Sequence, residues 1–355
     1  MKITNCFFTA FILVLSAFFV SCEQEDPIEK QEVTPTSGAF ILNQGSWGQN
    51  NSGISYYDFT TGNITADILN GRLGDTAQDL IIYGGKIYVS VTESSVIWAL
   101  SLSDLRELAV IQVKDGDKPR KPNYLAAYSD KVYATTVDGN VIRIDTANLT
   151  IDGIAAVGND PEGIVIADGK LYVGNTNGLN YPNYDNTLSV IDLATFKEAL
   201  PRIEVGLNPN RLKTDGHGNI YLTYRGDYGS VSGGFQKLDL ATKTVINIDI
   251  PANQDFTIVD DTLYYFGITY NEDYSANNIF GKYDVKNDRL IAGYLISDDT
   301  SVGTAYALGI DPYNKDIYIA DTDYFNPSKI HIFDRNGKKK FDFQAGLNAY
   351  KIIFR

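Results

Sequence analysis

The chain has 355 residues and a formal net charge of −14 at pH 7, and this length is compatible with one or two domains. The excess of acidic residues argues against nucleic acid or an anionic membrane surface as a partner, because both carry negative charge themselves. The two cysteines, Cys6 and Cys22, allow at most one internal disulfide.

The N-terminus has the pattern of a signal peptide. Lys2 precedes an apolar stretch, Phe7–Val20, that is short for a membrane span. The stretch is followed by Ser21 and Cys22, and a small residue directly before a cysteine resembles the lipobox of bacterial lipoproteins, whose cysteine is acylated after cleavage. We therefore predict a lipoprotein signal peptide over residues 1–21 and lipid attachment at Cys22. A signal anchor or simple secretion is the alternative.

Cysteine usage supports the lipid anchor. Cys6 would leave with the signal peptide, so Cys22 would be the only thiol of the mature chain and no internal disulfide could form. Residues 22–37 are polar, acidic and proline-containing, a composition typical of a flexible tether. Acidic residues directly after the cysteine resemble the export signal of lipoproteins of the Bacteroides group: Glu23, Glu25 and Asp26. On that resemblance we expect an outer-membrane lipoprotein exposed at the cell surface.

A motif that recurs six times predicts the fold of residues 38–355. Each copy has a turn followed by a hydrophobic residue, a tyrosine and another hydrophobic residue, and the tyrosines are Tyr88, Tyr133, Tyr172, Tyr221, Tyr264 and Tyr318. Their spacings of 45, 39, 49, 43 and 54 residues match one four-stranded propeller blade per repeat. An aspartate that opens a polar turn recurs with the same period, at Asp145, Asp192, Asp239, Asp284 and Asp334. The two markers agree, so we predict a single all-β propeller domain in which the tyrosines pack between blades.

Two further blades and the end of the chain complete the count. A degenerate blade includes Ile97–Val113, with Ser101 in place of the aspartate, and an earlier blade contains Asp58. The earlier blade lacks its first strand, while the C-terminal segment GLNAYKIIFR is similar to GLNPNRLKTD at the start of the fifth blade. We therefore predict a seven-bladed β-propeller in which the C-terminal strand completes blade one, because this closure removes open sheet edges.

The two faces of such a propeller differ in this sequence. If the strands of a blade are A to D from the inside out, the A–B and C–D turns share one face, and the B–C loops and D–A linkers share the other. The turns are short and polar, whereas five B–C loops are long and rich in aromatic residues, a composition typical of a recognition surface. The predicted ligand-binding aromatic residues are Trp47, Tyr181, Tyr184, Tyr224, Tyr228, Tyr270, Tyr274, Tyr324 and Phe325. Capping of the blade ends is the alternative role for some of them.

Polar residues on the same face point toward the central channel. The predicted polar ligand contacts are Arg72, Arg120, Asn123 and Arg225. The D–A linkers also contain Glu162, Asn208 and Arg211. Such side chains could orient a polar edge of a ligand, and bracing a turn is the alternative role for each.

The sequence lacks the residues that common hydrolytic mechanisms require. Of its two histidines, His217 is predicted in an A–B turn on the opposite face and His331 on a C strand, so neither serves the aromatic face. No G-x-S-x-G motif, P-loop or zinc-ligand spacing occurs. We therefore predict a binding protein without catalytic residues, metal or cofactor.

Three segments carry a resemblance to a known family. LNQG at Leu42–Gly45, SYYD at Ser55–Asp58 and LGDTAQ at Leu73–Gln78 resemble the opening of YncE-like, or surface-layer, propeller lipoproteins of the Bacteroides group. One branch of that family captures cobalamin at the cell surface and passes it to a TonB-dependent transporter. The resemblance implies surface capture of a nutrient, with cobalamin as the leading ligand, an outer-membrane TonB-dependent transporter as the partner, and membrane contact through the lipid anchor alone.

Two other functions stay open at this point. The protein could be an adhesin or surface-layer component that binds protein or glycan, since tyrosines also stack on sugars. It could also resemble calcium-dependent lactonase-type propellers, which bind a metal in the channel through acidic and amide side chains. Glu162, Asn123 and Asn208 could approximate that ligand set.

Overall fold

A computed structural model describes residues 34–273 and 275–355 of the chain, and in these residues it contains thirty β-strands and no helix. Accordingly, no described helix is long and apolar enough to cross a membrane. The predicted signal peptide, Cys22 and the tether as far as residue 33 lie outside the described residues. Twenty-eight of the strands form seven four-stranded antiparallel sheets, so the predicted seven-bladed β-propeller is confirmed.

In each blade, strand A lies at the channel and strand D at the rim. Blade one consists, from A to D, of β30 (Ala349–Phe354), β1 (Gly38–Asn43), β2 (Gly53–Asp58) and β3 (Ile64–Thr65). Blade two consists of β4 (Ala77–Tyr83), β5 (Lys86–Val91), β6 (Val96–Ser101) and β7 (Glu107–Gln112). A small hairpin follows, made of β8 (Lys114–Asp115) and β9 (Lys118–Pro119). Blade three consists of β10 (Pro122–Tyr128), β11 (Lys131–Thr136), β12 (Asn140–Asp145) and β13 (Thr150–Ala156).

The other four blades follow the same order. Blade four consists of β14 (Pro161–Ala167), β15 (Lys170–Asn175), β16 (Thr187–Asp192) and β17 (Lys197–Glu204). Blade five consists of β18 (Pro209–Thr214), β19 (Asn219–Gly226), β20 (Ser232–Asp239) and β21 (Thr244–Ile248). Blade six consists of β22 (Asp255–Val259), β23 (Thr262–Tyr270), β24 (Ala276–Asp284) and β25 (Arg289–Ile291). Blade seven consists of β26 (Ala305–Ile310), β27 (Ile317–Asp321), β28 (Pro327–Phe333) and β29 (Lys339–Leu347).

The ring is closed by the two ends of the described chain. Strand β30 pairs antiparallel with β1, with Phe354 opposite Ala39 at one end and Ala349 opposite Asn43 at the other. Just beyond this ladder the backbone N–H of Ser37 donates to the carbonyl of Arg355 at 2.6 Å. The prediction that the C-terminal strand completes blade one is thus confirmed.

The repeated tyrosines belong to the scaffold. Five of the six are buried, and Tyr264 is partly buried. Tyr88 of blade two, for example, packs against Val132 and Ile142 of blade three, and Tyr133 of blade three lies in a cluster with Val173 of blade four. Each tyrosine ring therefore fills the interface between consecutive sheets, where large apolar area is removed from water.

The repeated aspartates open the C–D turns as predicted. The carboxylate of Asp58 accepts hydrogen bonds from the backbone N–H groups of Thr60 and Thr61 at 2.8 and 2.9 Å. The N–H group of Thr61 is the main reason why the pKa of the Asp58 carboxyl lies below its ordinary value. In the degenerate blade two, the Ser101 hydroxyl shares a hydrogen bond of 3.0 Å with Ser103 instead. The aspartate carboxylate thus adds acceptors for the backbone N–H groups of its turn, and the serine of blade two does not.

Candidate functional site

The strand order places the long loops on one end of the propeller, which we call the loop face. The B–C loops on this face are residues 44–52, 92–95, 137–139, 176–186, 227–231, 271–275 and 322–326. The D–A linkers end at the same face, because each of them leads into an inner strand. The opposite end, with the A–B and C–D turns, is the turn face.

Three predicted aromatic residues from two adjacent blades meet on the loop face. Tyr181 and Tyr184 belong to the blade four loop, and Tyr228 belongs to the blade five loop. The ring centroids of Tyr181 and Tyr184 are 6.1 Å apart and those of Tyr184 and Tyr228 are 5.9 Å apart, and both pairs are edge-on. Tyr181 and Tyr228 are 73% and 69% exposed, so the cluster presents aromatic surface to solvent instead of capping a blade.

A second chain of rings runs from the loop face into the channel. Tyr324, in the blade seven loop, lies edge-on to Tyr306 at 5.6 Å, and Tyr306 lies 5.6 Å from Tyr350. Tyr306 and Tyr350 are the second residues of inner strands β26 and β30. At the outer end of this path Phe325 is 87% exposed, and Trp47 of the blade one loop is 77% exposed.

Arg211 stands at the centre of the channel. Its guanidinium lies over the rings of Tyr124 and Tyr350, 5.0 and 4.9 Å from their centroids. Its two terminal nitrogens donate to the hydroxyls of the same tyrosines at 2.5 and 2.6 Å, and these two hydroxyls lie 2.8 Å apart. The guanidinium is therefore fixed by stacking and by charge-assisted hydrogen bonds at once. We call Arg211, Tyr124 and Tyr350 the channel plug.

Side chains from other blades hold the channel plug in place. The amide of Gln78 donates to both plug hydroxyls, at 3.0 Å each, and its carbonyl accepts from Gln44 at 3.1 Å. Gln44 in turn accepts from the hydroxyl of Tyr306 at 2.9 Å. Burial raises the pKa of Tyr124 well above its ordinary value, despite the opposing charge of Arg211, so this hydroxyl keeps its proton. The network connects blades one, two, three, five and seven.

Arg225 lies beside the channel plug, where it forms a bidentate ion pair with Glu162. Its terminal nitrogens donate to the two carboxylate oxygens at 2.6 and 2.8 Å. Burial lowers the pKa of the Arg225 guanidinium, whereas the charge and the hydrogen bonds of the Glu162 carboxylate raise it. The effects that raise it are larger in sum, so this pKa lies above its ordinary value. Arg225 also lines the mouth of the channel, so this predicted residue is part of the central site.

Other predicted polar residues have structural contacts away from the channel plug. Arg72 forms an ion pair with Glu107 at 2.9 Å and lies over the ring of Trp98. Asn123 is buried, and its amide donates to the carbonyl of Pro161 at 3.4 Å. Both contacts connect neighbouring strands or linkers, as the turn-bracing alternative requires.

Arg120 and Tyr224 also pack within the framework. Arg120 forms ion pairs with Asp115 of the β8–β9 hairpin and with Asp138 of the blade three loop. Tyr224 packs so closely against Gly206 and Gly234 that a Cβ added at either glycine would collide with its ring or its hydroxyl. Tyr274 and the side chain of Tyr270 lie outside the described residues.

Two cavities lie on either side of the channel plug. The outer one, at the loop face, has a volume of about 270 Å³ and is lined by Gln44, Arg225 and Tyr306 among others. The inner one measures about 180 Å³. Both are lined by Arg211 and Tyr350, so the plug separates them. We call the outer cavity the channel mouth; one of its lining residues, Tyr306, contacts Tyr324 of the blade seven loop.

Two of the three residues suggested for a calcium site already accept hydrogen bonds from protein groups, Glu162 from Arg225 and the amide oxygen of Asn123 from Thr92. Both oxygens of Glu162 accept hydrogen bonds from Arg225, and a guanidinium in this position repels a divalent ion. Among the described residues no group of three His, Cys, Asp or Glu side chains could hold a metal. His217 lies on the turn face, 2.7 Å from Asp261, and His331 is buried.

Asp160 is a titratable residue near the Arg225–Glu162 ion pair. Its carboxylate accepts from the backbone N–H of Leu179 at 3.2 Å, in the loop that carries the tyrosine cluster. Burial, and to a smaller extent the charge of Glu162, raises the pKa of Asp160 to about 6. The folded protein therefore binds this proton more tightly than the unfolded chain, whose carboxyl has a pKa of about 3.9. Protonation of this group therefore increases the free energy of unfolding as the pH falls from about 7 to about 4.

We expect Asp160→Asn to be more stable than the unsubstituted protein at pH 8, by about 1–2 kcal/mol. The amide removes a partly desolvated charge, keeps an acceptor for Leu179 and tolerates the positive φ of 45° at this position. The difference should vanish near pH 3, where the carboxyl is protonated in both the folded and the unfolded state. Urea unfolding at both pH values measures it, and a difference independent of pH would contradict the assignment.

Comparison with known proteins shows structures of similar fold. No protein-family model and no curated protein matches the sequence. Among solved structures, hydrazine synthase of Kuenenia stuttgartiensis is similar, with a TM-score of 0.61 at 14% identity over 76% of this chain and 86% of that one.

Two further solved structures cover nearly all of the propeller. A protein of Bacteroides uniformis described as a candidate 6-phosphogluconolactonase has a TM-score of 0.61 at 12% identity, over 90% of this chain and 100% of its own. A protein of unknown function from Desulfotomaculum acetoxidans has a TM-score of 0.59 at 14% identity, over 90% and 99%. At these identities the likeness establishes the propeller fold alone.

Four residues of the central site were not among the predicted ligand contacts: Gln78, Tyr124, Tyr306 and Tyr350. Each lies among the first three residues of an inner strand. The similarity of GLNAYK to GLNPNR indicates where two of the inner strands begin. The first residues of the inner strands surround the channel, and they could have been considered together as candidate site residues. Arg211 was expected to approach the channel from a D–A linker as a residue that could orient a ligand, and it reaches the channel from the start of inner strand β18.

Proposed function

We propose that the protein captures a large amphipathic nutrient on its loop face. The observation that supports this most is the combination of solvent-exposed aromatic loops with a polar channel mouth. Tyr181, Tyr184 and Tyr228 form one aromatic wall, and the path through Tyr324 and Tyr306 leads into the cavity. Aromatic side chains offer large contact area at low entropy cost, while the mouth supplies donors and acceptors.

Cobalamin is the leading ligand in this proposal. Its corrin is a broad disc with an apolar face and an amide rim, so tyrosines can stack on the disc while amides meet the rim. Gln44, Asn210 and Gln254 provide side-chain amides at the channel mouth. Since neither of the two histidines is exposed on the loop face, binding should leave the cobalt ligands, and hence the visible spectrum, unchanged.

The proposed cellular setting comes from the sequence. The lipobox-like Cys22 and the acidic residues after it suit a lipoprotein tethered at the outer surface, and the resemblance to YncE-like surface propellers suggests a TonB-dependent transporter as the recipient. A long tether would allow the loop face to reach such a transporter. The protein would then bind its ligand and hand it on without chemical change.

The two rival functions differ in what the site offers. An adhesin that binds glycan could use the same exposed rings, so only ligand binding separates it from the first proposal. A calcium-dependent lactonase is disfavoured by the Arg225–Glu162 ion pair, although one protein of the same fold is described as a candidate 6-phosphogluconolactonase.

We expect cobalamin to bind the purified full chain at micromolar concentration or below, and Tyr184→Ala to weaken binding roughly tenfold. Tyr184 contacts both other rings of the cluster, so its removal takes away the middle of the aromatic wall. Titration calorimetry measures the affinity. Tyr313→Ala, which removes a half-exposed tyrosine from the turn face, is the matched control.

Two results would contradict this proposal. If cobalamin does not bind, the ligand is wrong. If Tyr184→Ala and Tyr313→Ala bind equally well, the loop face is not the site. A panel of glycans tested in the same way separates the adhesin function, which would show saturable sugar binding that depends on Tyr184.

A further inference from the structure

The inner cavity holds an unusual set of charges for so acidic a protein. Its lining includes the basic side chains of Arg211, Lys213 and Lys351 but only two acidic ones, Asp79 and Asp255. With all groups ionised the lining carries a net charge of +1, whereas the whole chain carries −14. An excess of positive charge in a channel is the electrostatic signature of an anion site.

Both carboxylates of the cavity are engaged by other groups. Asp79 forms an ion pair with Lys351 and accepts from the backbone N–H of Leu125 at 2.8 Å. Asp255 accepts from the backbone N–H of Phe256 at 2.8 Å. Neither carboxylate forms an ion pair with Lys213 within the described part of the chain.

Lys213 is the cation without a partner. It lies on inner strand β18 two residues after Arg211, so the two side chains point to the same side of the strand. In residues 34–273 and 275–355 it has neither an ion pair nor a hydrogen bond. A half-buried ammonium group without an acceptor is destabilising, and burial accordingly lowers the pKa of Lys213.

A second donor in the same cavity is also unused. The terminal nitrogens of Arg211 are bound to Tyr124 and Tyr350, but its Nε is buried and has no hydrogen-bond partner in the described residues. The nearest carboxylate oxygen, on Asp255, is 3.7 Å away. Two donors that line one cavity, the half-buried ammonium group of Lys213 and the buried Nε of Arg211, thus have no hydrogen-bond acceptor among the described residues.

We propose that the inner cavity binds a small oxyanion, a phosphate or a carboxylate, which accepts hydrogen bonds from Lys213 and Arg211. The volume of about 180 Å³ holds one such anion with accompanying water. The anion would neutralise the excess charge of the lining and satisfy both donors. The site lies on the far side of the channel plug from the proposed nutrient, so it does not depend on what the loop face binds.

The test compares anion binding by two lysine variants of the full chain. Inorganic phosphate and, separately, acetate are titrated by calorimetry at constant ionic strength kept with sodium chloride. We expect saturable binding of at least one anion, and a loss of roughly tenfold or more in affinity for Lys213→Met. Lys282→Met is the matched control, because Lys282 is also half-buried but lies on β24, away from the cavity, and it should bind like the unsubstituted protein.

Thermal unfolding distinguishes a loss of anion binding from a loss of stability. Lys213→Met removes a half-buried charge that has no ion-pair partner in the described residues, and it should melt at or above the temperature of the unsubstituted protein in anion-free buffer. The anion that binds should raise the melting temperature of the unsubstituted protein and of Lys282→Met but not that of Lys213→Met. Absence of binding by both anions, or equal binding by Lys213→Met, would overturn the proposal.

Discussion

Removal of residues 346–355 is expected to abolish cooperative folding of the propeller. The deletion removes β30, the inner strand of blade one, and exposes both β1 and the adjacent inner strands of blades two and seven. It also removes Ile352 and Ala349 from the core that blade one shares with blade seven, together with Tyr350 of the channel plug. The open sheet edge that results should favour association of chains.

Circular dichroism during heating and size-exclusion chromatography would measure this loss. We expect no sharp transition, and aggregated or expanded protein in the column. Deletion of Arg355 alone is the control and should leave the transition sharp, because it spares every residue of β30. A truncated chain that is monomeric and melts cooperatively would show that the closure of blade one is dispensable.

The second large effect is expected at Asp79, where Asp79→Ala should cost about 3–5 kcal/mol of unfolding free energy. Asp79 is only 3% exposed and lies on inner strand β4. Its carboxylate binds Lys351 of blade one and the backbone N–H of Leu125 of blade three. Alanine would leave the partly buried ammonium group of Lys351 and the buried N–H group of Leu125 without partners, at the junction of three blades.

Two variants make the Asp79 measurement specific. Asp79→Asn keeps an acceptor for Leu125 but loses the charge, so its cost should be intermediate. Asp104→Ala removes an exposed carboxylate that pairs with Arg106 at 3.2 Å, and it should leave the stability nearly unchanged, because exposed ion pairs contribute little. Urea unfolding gives all three values. A cost for Asp79→Ala as small as that of Asp104→Ala would mean that Lys351 and Leu125 find other partners.

The fold was predictable because the same types of residue recur at equivalent positions in the blades. The strand B tyrosines and the turn-opening aspartates are determined by contacts within one blade or with its neighbour, and therefore recur at a fixed interval. The closure was predictable because one segment, GLNAYKIIFR, is similar to another with a known place. The β8–β9 hairpin occurs once and gives no periodic signal.

One repeated backbone feature had no clear sequence signal. The residue before several inner strands has a left-handed backbone, with φ of 59° at Thr76, 55° at Lys121 and 65° at Asn208. Its carbonyl accepts a hydrogen bond from the end of strand B, as Thr76 does from Thr92 at 2.9 Å. Asparagine is common in this conformation, but threonine and lysine are not. The left-handed backbone at these positions therefore could not be predicted from the residue types.

The candidate site was predictable only where it lies on loops. Long aromatic loops between regular strands pointed to Tyr181, Tyr184 and Tyr228, and the strand order then brought them together. The channel plug combines Tyr124, Arg211 and Tyr350 from three blades, and the two tyrosines are 226 positions apart in the sequence. No spacing within one repeat marks such a contact, because it exists only at the axis where all blades converge.

The position of β30 gives the protein a built-in order of events during synthesis. Residues 349–354 leave the ribosome after the strands of every other blade, so the ring cannot close while those strands are still being made. Tyr350 and Lys351, which complete the channel plug and the inner cavity, emerge with the same strand. Chains made only up to β29 therefore lack the assembled channel, and occupancy of either cavity requires that β30 has been made and that the ring has closed.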